Sequence, residues 1–121
     1  MIVLLMIAVL SCMGPKKVAY DFPSTMNESV QKEYLRQCEK GAVLYEISCS
    51  GCHTKKSMLS KKIPDFTADQ IYGYEIRRSN KNHENALTAE TVTTEELGYI
   101  LNFLMYKKRS GLLHKGTHVE N

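Results

Sequence analysis

Cys49-Ser50-Gly51-Cys52-His53 sets two thiols and an imidazole within five residues, and any fold of this chain must leave those groups free to act together. The chemistry open to such a cluster is limited. C-x-x-C-H is the pattern of covalent haem attachment: two thiols three positions apart add to the vinyl groups along one haem edge. The adjacent His then lies beneath the iron and supplies an axial nitrogen. Three other chemistries use similar groups. A thioredoxin-type redox pair wants C-x-x-C after a strand in a βαβ pattern, and the residues before Cys49 read as helix. A structural zinc site on Cys49, Cys52 and His53 would take Cys38 or His83 as fourth ligand, with no second C-x-x-C or H-x₃₋₅-H pair to support it. A plain disulfide is open to an exported protein. Haem attachment is the leading expectation.

Around this cluster the apolar residues follow helical spacing. Val30, Tyr34, Leu35, Cys38, Ala42 and Tyr45 recur with charges between them and predict a helix over 28–47. A loop rich in Lys, Ser and Gly covers 49–64. Thr67 and Gln70 fit a capping box that opens a short helix carrying Ile71, Tyr74 and Ile76 towards Arg77 and Arg78, followed by a polar stretch over 79–85. Thr93 and Glu96 form a second box. Leu97, Ile100, Leu101, Leu104 and Met105 then line one helical face, with Lys107, Lys108 and Arg109 expected in the last turn and Gly111 after it. No internal repeat is visible and no segment reads as a strand. The expected class is all-α.

The N-terminus reads as a targeting segment. Residues 2–10, IVLLMIAVL, are unbroken apolar but far short of the roughly 20 needed to cross a bilayer as a helix. They match the apolar region of a secretory signal, about 7–15 residues long. Val9-Leu10-Ser11-Cys12 resembles the lipobox of bacterial lipoproteins, with Leu one place nearer the Cys than usual. On that resemblance Cys12 becomes the first mature residue and carries a lipid. No Lys or Arg precedes the run, so either the start lies upstream or the signal is atypical; a buried first element is the competing reading. Residues 1–12 are thus expected as signal, and 13–27, with Gly14, Pro15, Pro23 and Ser24, as a linker.

Composition narrows the rest. At 121 residues the chain suits one domain. With no Trp and three Phe its core is poor in bulk, which a large apolar cofactor would supply. The net charge of +3 is mild, and Lys and Arg form no dense stripe of the nucleic-acid-binding kind. No general acid/base pair or nucleophile constellation is present, so an enzyme is not expected.

Over 31–111 the chain resembles a small class I c-type cytochrome. Gly41 and Tyr45 stand where that family carries a Gly and an aromatic before C-x-x-C-H. Phe103-Leu104 matches the aromatic-Leu pair of the last helix, which crosses the first closely. Pro64 fits the family's proline whose carbonyl accepts the proton on the far ring nitrogen of the haem His. The resemblance implies three main helices wrapped around one covalent haem c, in a domain over 28–111 with a polar tail over 112–121. Cys49 and Cys52 would form the thioethers and His53 the proximal ligand. The family's axial Met has no counterpart between Met58 and Met105, and His83 is the strong ligand in the expected stretch. His83 is therefore the expected distal ligand, with Met58, Met105 or an open position as alternatives. A second imidazole would leave the potential lower than a thioether. Tyr72, Tyr74, Arg77 and Arg78 are candidates for propionate contacts, with Tyr74 and Arg77 foremost. Lys55, Lys56, Lys61 and Lys62 flank the loop near the expected haem edge and can steer an acidic partner. Cys38 reads as a small core residue, and His114 and His118 as exposed.

The implied function is one-electron transfer on the periplasmic side of a bacterial membrane. The chain would be held there by lipid on Cys12, with redox proteins as partners, including a membrane respiratory complex, and no nucleic acid. The alternatives are a haem-based gas-binding or sensor module with an open distal site, and a zinc- or disulfide-stabilised lipoprotein without haem.

Overall fold

The computed structural model describes residues 17–74, 81–84, 87, 88 and 90–111, with the side chains of 81 and 82 excepted. The signal, Cys12, Arg77, Arg78, His114 and His118 lie outside the described residues. Helix α1, Glu28–Ser48, starts at Asn27, whose side chain accepts from the Ser29 N–H at 2.9 Å. It is followed by a single turn α2, Ser50–His53, then strands β1, Lys55–Ser57, and β2, Ser60–Lys62. Helix α3, Ala68–Tyr72, and the short α4, Lys81–Glu84, lead to α5, Thr94–Tyr106. Both expected capping boxes form: Thr67 with Gln70, and Thr93 with Glu96, each exchange satisfying two helix-end donors.

The two long helices pack on each other, and Gly41 decides how closely. A Cβ at Gly41 would lie 1.9 Å from the Tyr99 carbonyl oxygen and 2.9 Å from the Phe103 Cβ, so only hydrogen fits at this crossing. The close passage of first and last helix is therefore as expected. Tyr45 and Phe103 meet there with ring centroids 5.6 Å apart and join Val92, Leu97 and Ile100 in the core. Cys38 is wholly buried in the same seam, its thiol donating to the Asn102 carbonyl at 3.4 Å, which makes it the core residue expected.

The inner stripe of α1 is narrower than its periodicity predicts. Cys38, Gly41 and Tyr45 are buried, whereas Val30 and Leu35 are exposed. The longer α1 outruns its partner at Val30, and Leu35 sits about 120° round the helix from Gly41 at 100° per residue. Val43 and Ile47 face outward on the same count and are exposed.

Four expectations are corrected. The chain is mostly helical rather than all-α, because 55–57 and 60–62 form an antiparallel hairpin with Lys55 opposite Lys62, Lys56 opposite Lys61 and Ser57 opposite Ser60. Its strands hold no apolar residue and bury no face, so hydrophobic alternation carried no sign of them. The last helix stops at Tyr106, leaving Lys107, Lys108 and Arg109 outside it. Lys107 turns into extended backbone because the chain there pairs with residues 19–21: the Lys108 N–H donates to the Ala19 carbonyl and the Asp21 N–H to the Tyr106 carbonyl, each at 2.8 Å. Part of the stretch read as a linker over 13–27 is accordingly docked, with the Phe22 ring 5.1 Å from Tyr106. The third helix, expected to run on towards Arg77, reaches its C-cap at Gly73. Among the described residues no helix is long and apolar enough to cross a membrane.

Candidate functional site

The motif residues are placed by the break between α1 and α2. The Cys49 N–H closes the last turn of α1 onto the Tyr45 carbonyl at 2.8 Å, and the His53 N–H bonds the Cys49 carbonyl at 3.0 Å. Buried Ser50 donates its hydroxyl to the Glu46 carbonyl at 2.7 Å, stitching the new turn to the old one. Below it the Tyr45 hydroxyl and Thr54 Oγ1 lie 3.1 Å apart, so the residue after His53 is tied to the centre of the core. Burial raises the Tyr45 hydroxyl pKa to about 12, so this link stays neutral at any physiological pH.

Cys49 packs against the core cluster and Cys52 is exposed; both thiols are free. Burial, with the neighbouring Cys52, pushes the Cys49 thiol up to about 11. A redox-active pair of the thioredoxin type needs its attacking sulfur as thiolate near neutrality, and this environment works the other way. The motif also follows a helix rather than a strand. A zinc centre finds no support either, since among the described residues no three His, Cys, Asp or Glu side chains gather as a metal-binding group. Cys38, a candidate fourth ligand, is committed to the α1–α5 seam.

His53 is half-buried and meets two rings. Phe66 presents an edge-to-face contact with centroids 5.7 Å apart, and His83, on α4, lies with its ring centroid 5.8 Å away and tilted 41°. Two residues 30 apart in sequence, singled out as the proximal and distal ligands, are thus brought into ring contact with each other. The spacing can be compared with a ruler. Imidazole nitrogens bind a first-row metal at about 2.0 Å. Two rings sharing one ion along a common axis therefore have centroids about 6 Å apart. The observed 5.8 Å is close to that span. The donor types brought together here, two imidazoles near two thiols, are those that would hold a haem.

Pro64 is buried in the strand-to-helix connection, one residue before Asp65 and two before Phe66. Tyr74 is half-buried and lies over His83, with centroids 6.0 Å apart. Met58 is fully exposed at the hairpin turn, which leaves it the poorest of the distal candidates. Met105 is half-buried on α5 beside a cavity of about 20 Å³ lined also by Asp65, Phe66, Leu104, Lys107 and Arg109, room for one water. Tyr72 is exposed.

Two features escaped the sequence reading. One is Phe66 as the ring against His53. The other is a buried ion pair: Lys107 Nζ donates to Asp65 Oδ1 at 2.5 Å, with the residues 6% and 3% exposed. The Ser110 N–H adds a bond to Oδ1 at 2.9 Å, and its hydroxyl reaches the Ile63 carbonyl at 2.8 Å. Burial works against charge on Asp65, but the bonds from Lys107 and Ser110 outweigh it and hold the carboxyl below the usual range. This clasp fastens 63–66, and with it Pro64 and Phe66, to the end of α5. A lysine just past an amphipathic helix reads as a cation favouring the helix dipole, which is why its role was not visible.

No family model, curated protein or solved structure matches the chain.

Proposed function

We propose that this protein is a monohaem electron carrier of the class I c-type cytochrome kind, working outside the cytoplasm and held at a membrane by lipid on Cys12. The observation that carries the reading is the pairing of His53 with His83, ring centroids 5.8 Å apart, in a chain whose motif thiols Cys49 and Cys52 are free. A covalently held haem would supply the ferric–ferrous couple, with His53 and His83 as the residues that would hold its iron.

The chain's own residues do the holding and tuning. Cys49 and Cys52 anchor the group by thioethers. His53 would be one ligand of the iron, its ring supported by Phe66. His83 would be the other, with Tyr74 against its ring. The Pro64 carbonyl would accept a hydrogen bond from the N–H on the far side of the His53 ring, fixing the tautomer and raising the basicity of the ligand. Tyr74 and Arg77 meet the propionates. In this role the protein would pass electrons between redox partner proteins, among them a membrane respiratory complex.

The test is a pyridine haemochrome spectrum on denatured, exported protein. A band characteristic of haem saturated at both vinyl groups, surviving extraction with acidified acetone, is expected. A purified exported chain without a Soret band overturns the proposal.

A further inference from the structure

The hairpin breaks two local rules at once, and both breaks point outward. Its two-residue turn is Met58-Leu59, with neither residue at positive φ, where tight hairpins favour Asn-Gly or Asp-Gly. The two side chains are 103% and 97% exposed, so the hairpin ends in apolar surface. Behind the tip, Lys55 stands directly opposite Lys62 and Lys56 opposite Lys61. Like charges at directly opposed strand positions destabilise a ladder. Glu46 on α1 answers one of the four, bonding Lys61 at 2.9 Å. The segment 54–64 holds no acidic residue of its own.

We infer that this hairpin is a membrane-docking element, with Met58 and Leu59 entering the headgroup–acyl boundary of an anionic bilayer and the lysines meeting lipid phosphates. Charge complementarity selects an anionic surface, and the layering selects a lipid one. A bilayer offers negative charge outermost and hydrocarbon just beneath, the order in which this protrusion presents lysines and then apolar tip. The turn is also prepared for a poorly hydrated setting. The Ser57 and Ser60 hydroxyls lie 3.0 Å apart, and Ser57 Oγ both donates to the Ser60 carbonyl and accepts from the Ser60 N–H, each at 3.2 Å. Polar groups at the tip are thus bonded to one another before insertion, which lowers the cost of leaving water. This contact is separate from any lipid on Cys12 and does not depend on haem.

The experiment uses the full chain incorporated into two vesicle types, pure phosphatidylcholine and a phosphatidylcholine–phosphatidylglycerol mixture. The N-terminal segment is present in both, so only the hairpin's preference differs. Hydrogen exchange is read by mass spectrometry over 54–63, with 94–106 as the folded reference. Exchange over 54–63 should slow on the anionic vesicles alone. Each Lys→Gln change should weaken that preference about fivefold. Met58→Ser/Leu59→Ser should abolish the protection while α5 stays protected. Equal exchange on the two vesicle types overturns the inference, and so does full protection in the doubly substituted chain. Stronger protection by soluble polyglutamate than by anionic vesicles overturns it in favour of an acidic protein partner.

Discussion

Gly41→Ala should destabilise this protein, although the same change at Gly98 should stabilise it. Both glycines lie inside helices, where Ala is the better residue by about 1 kcal/mol. At Gly98 a new Cβ meets nothing within 4 Å, so that propensity gain stands. At Gly41 it would lie 1.9 Å from the Tyr99 carbonyl oxygen, an atom of helical backbone that cannot rotate aside. Restoring an ordinary carbon–oxygen contact moves α1 and α5 apart by more than 1 Å. A gap of about 0.5–1 Å already forfeits a quarter to a half of each dispersion contact along the seam. Overpacking of this kind costs about 3 kcal/mol at the severe end, against which the propensity gain of about 1 kcal/mol is set. The net loss is about 2 kcal/mol. Urea unfolding of the purified protein checks it. With a slope of about 1 kcal/mol per molar, the midpoint should fall by about 2 M for Gly41→Ala and rise by somewhat less than 1 M for Gly98→Ala. A midpoint unchanged or raised by Gly41→Ala would refute the close crossing and the packing argument built on it.

Asp65→Ala should cost about 3–5 kcal/mol, because it leaves Lys107 charged and buried, whereas Asp65→Asn/Lys107→Met should recover most of that loss. The folded Asp65 carboxyl lies below its unfolded value of about 3.9, so the clasp's stabilisation is complete above that pH and lost as pH falls through the folded value. Unfolding free energies measured between pH 2 and 6 should therefore decline more steeply below pH 4 in the parent than in the double variant; parallel curves would contradict the pairing. In the haem-bearing protein, His83→Ala should convert a low-spin absorption spectrum to a high-spin one that responds to CO, and Met58→Ala should leave it unchanged. Low-spin iron persisting in His83→Ala would remove His83 as a ligand.

The helices were legible where local chemistry decides them. Thr67 and Thr93 start their helices by capping boxes, a signal written within four residues. The α1–α5 crossing was expected only from the resemblance to class I c-type cytochromes, in which Gly41 and Phe103-Leu104 have counterparts. The hairpin was not, because its strands are entirely polar and exposed, and nothing in a period-2 pattern marks them. Nor was the Lys107 clasp, whose partner is 42 positions away. The motif announced Cys49, Cys52 and His53 by spacing alone. Phe66 could not be announced, since a lone aromatic after a proline gives no hint of the ring it will meet.

The clasp and the site are parts of one construction. His53 is set by α2, a single turn that cannot hold a side chain rigid by its own backbone bonds. Its ring is supported from a different stretch of chain, by Phe66, and Phe66 follows directly on Asp65. The Asp65–Lys107 pair ties that stretch to the end of α5, and α5 is fixed against α1 by the Gly41 crossing. Tyr45 closes the loop, since it packs on Phe103 of α5 and meets Thr54 beside His53. The imidazole is thus braced along two routes that begin at the same helix pair, one through the core and one through a buried charge. A hydrophobic pair in place of Asp65 and Lys107 would hold the layers together as well, but it would slide. A short, fully bonded ion pair fixes distance and direction together, which is what the proposed ligand His53 would require to meet an iron.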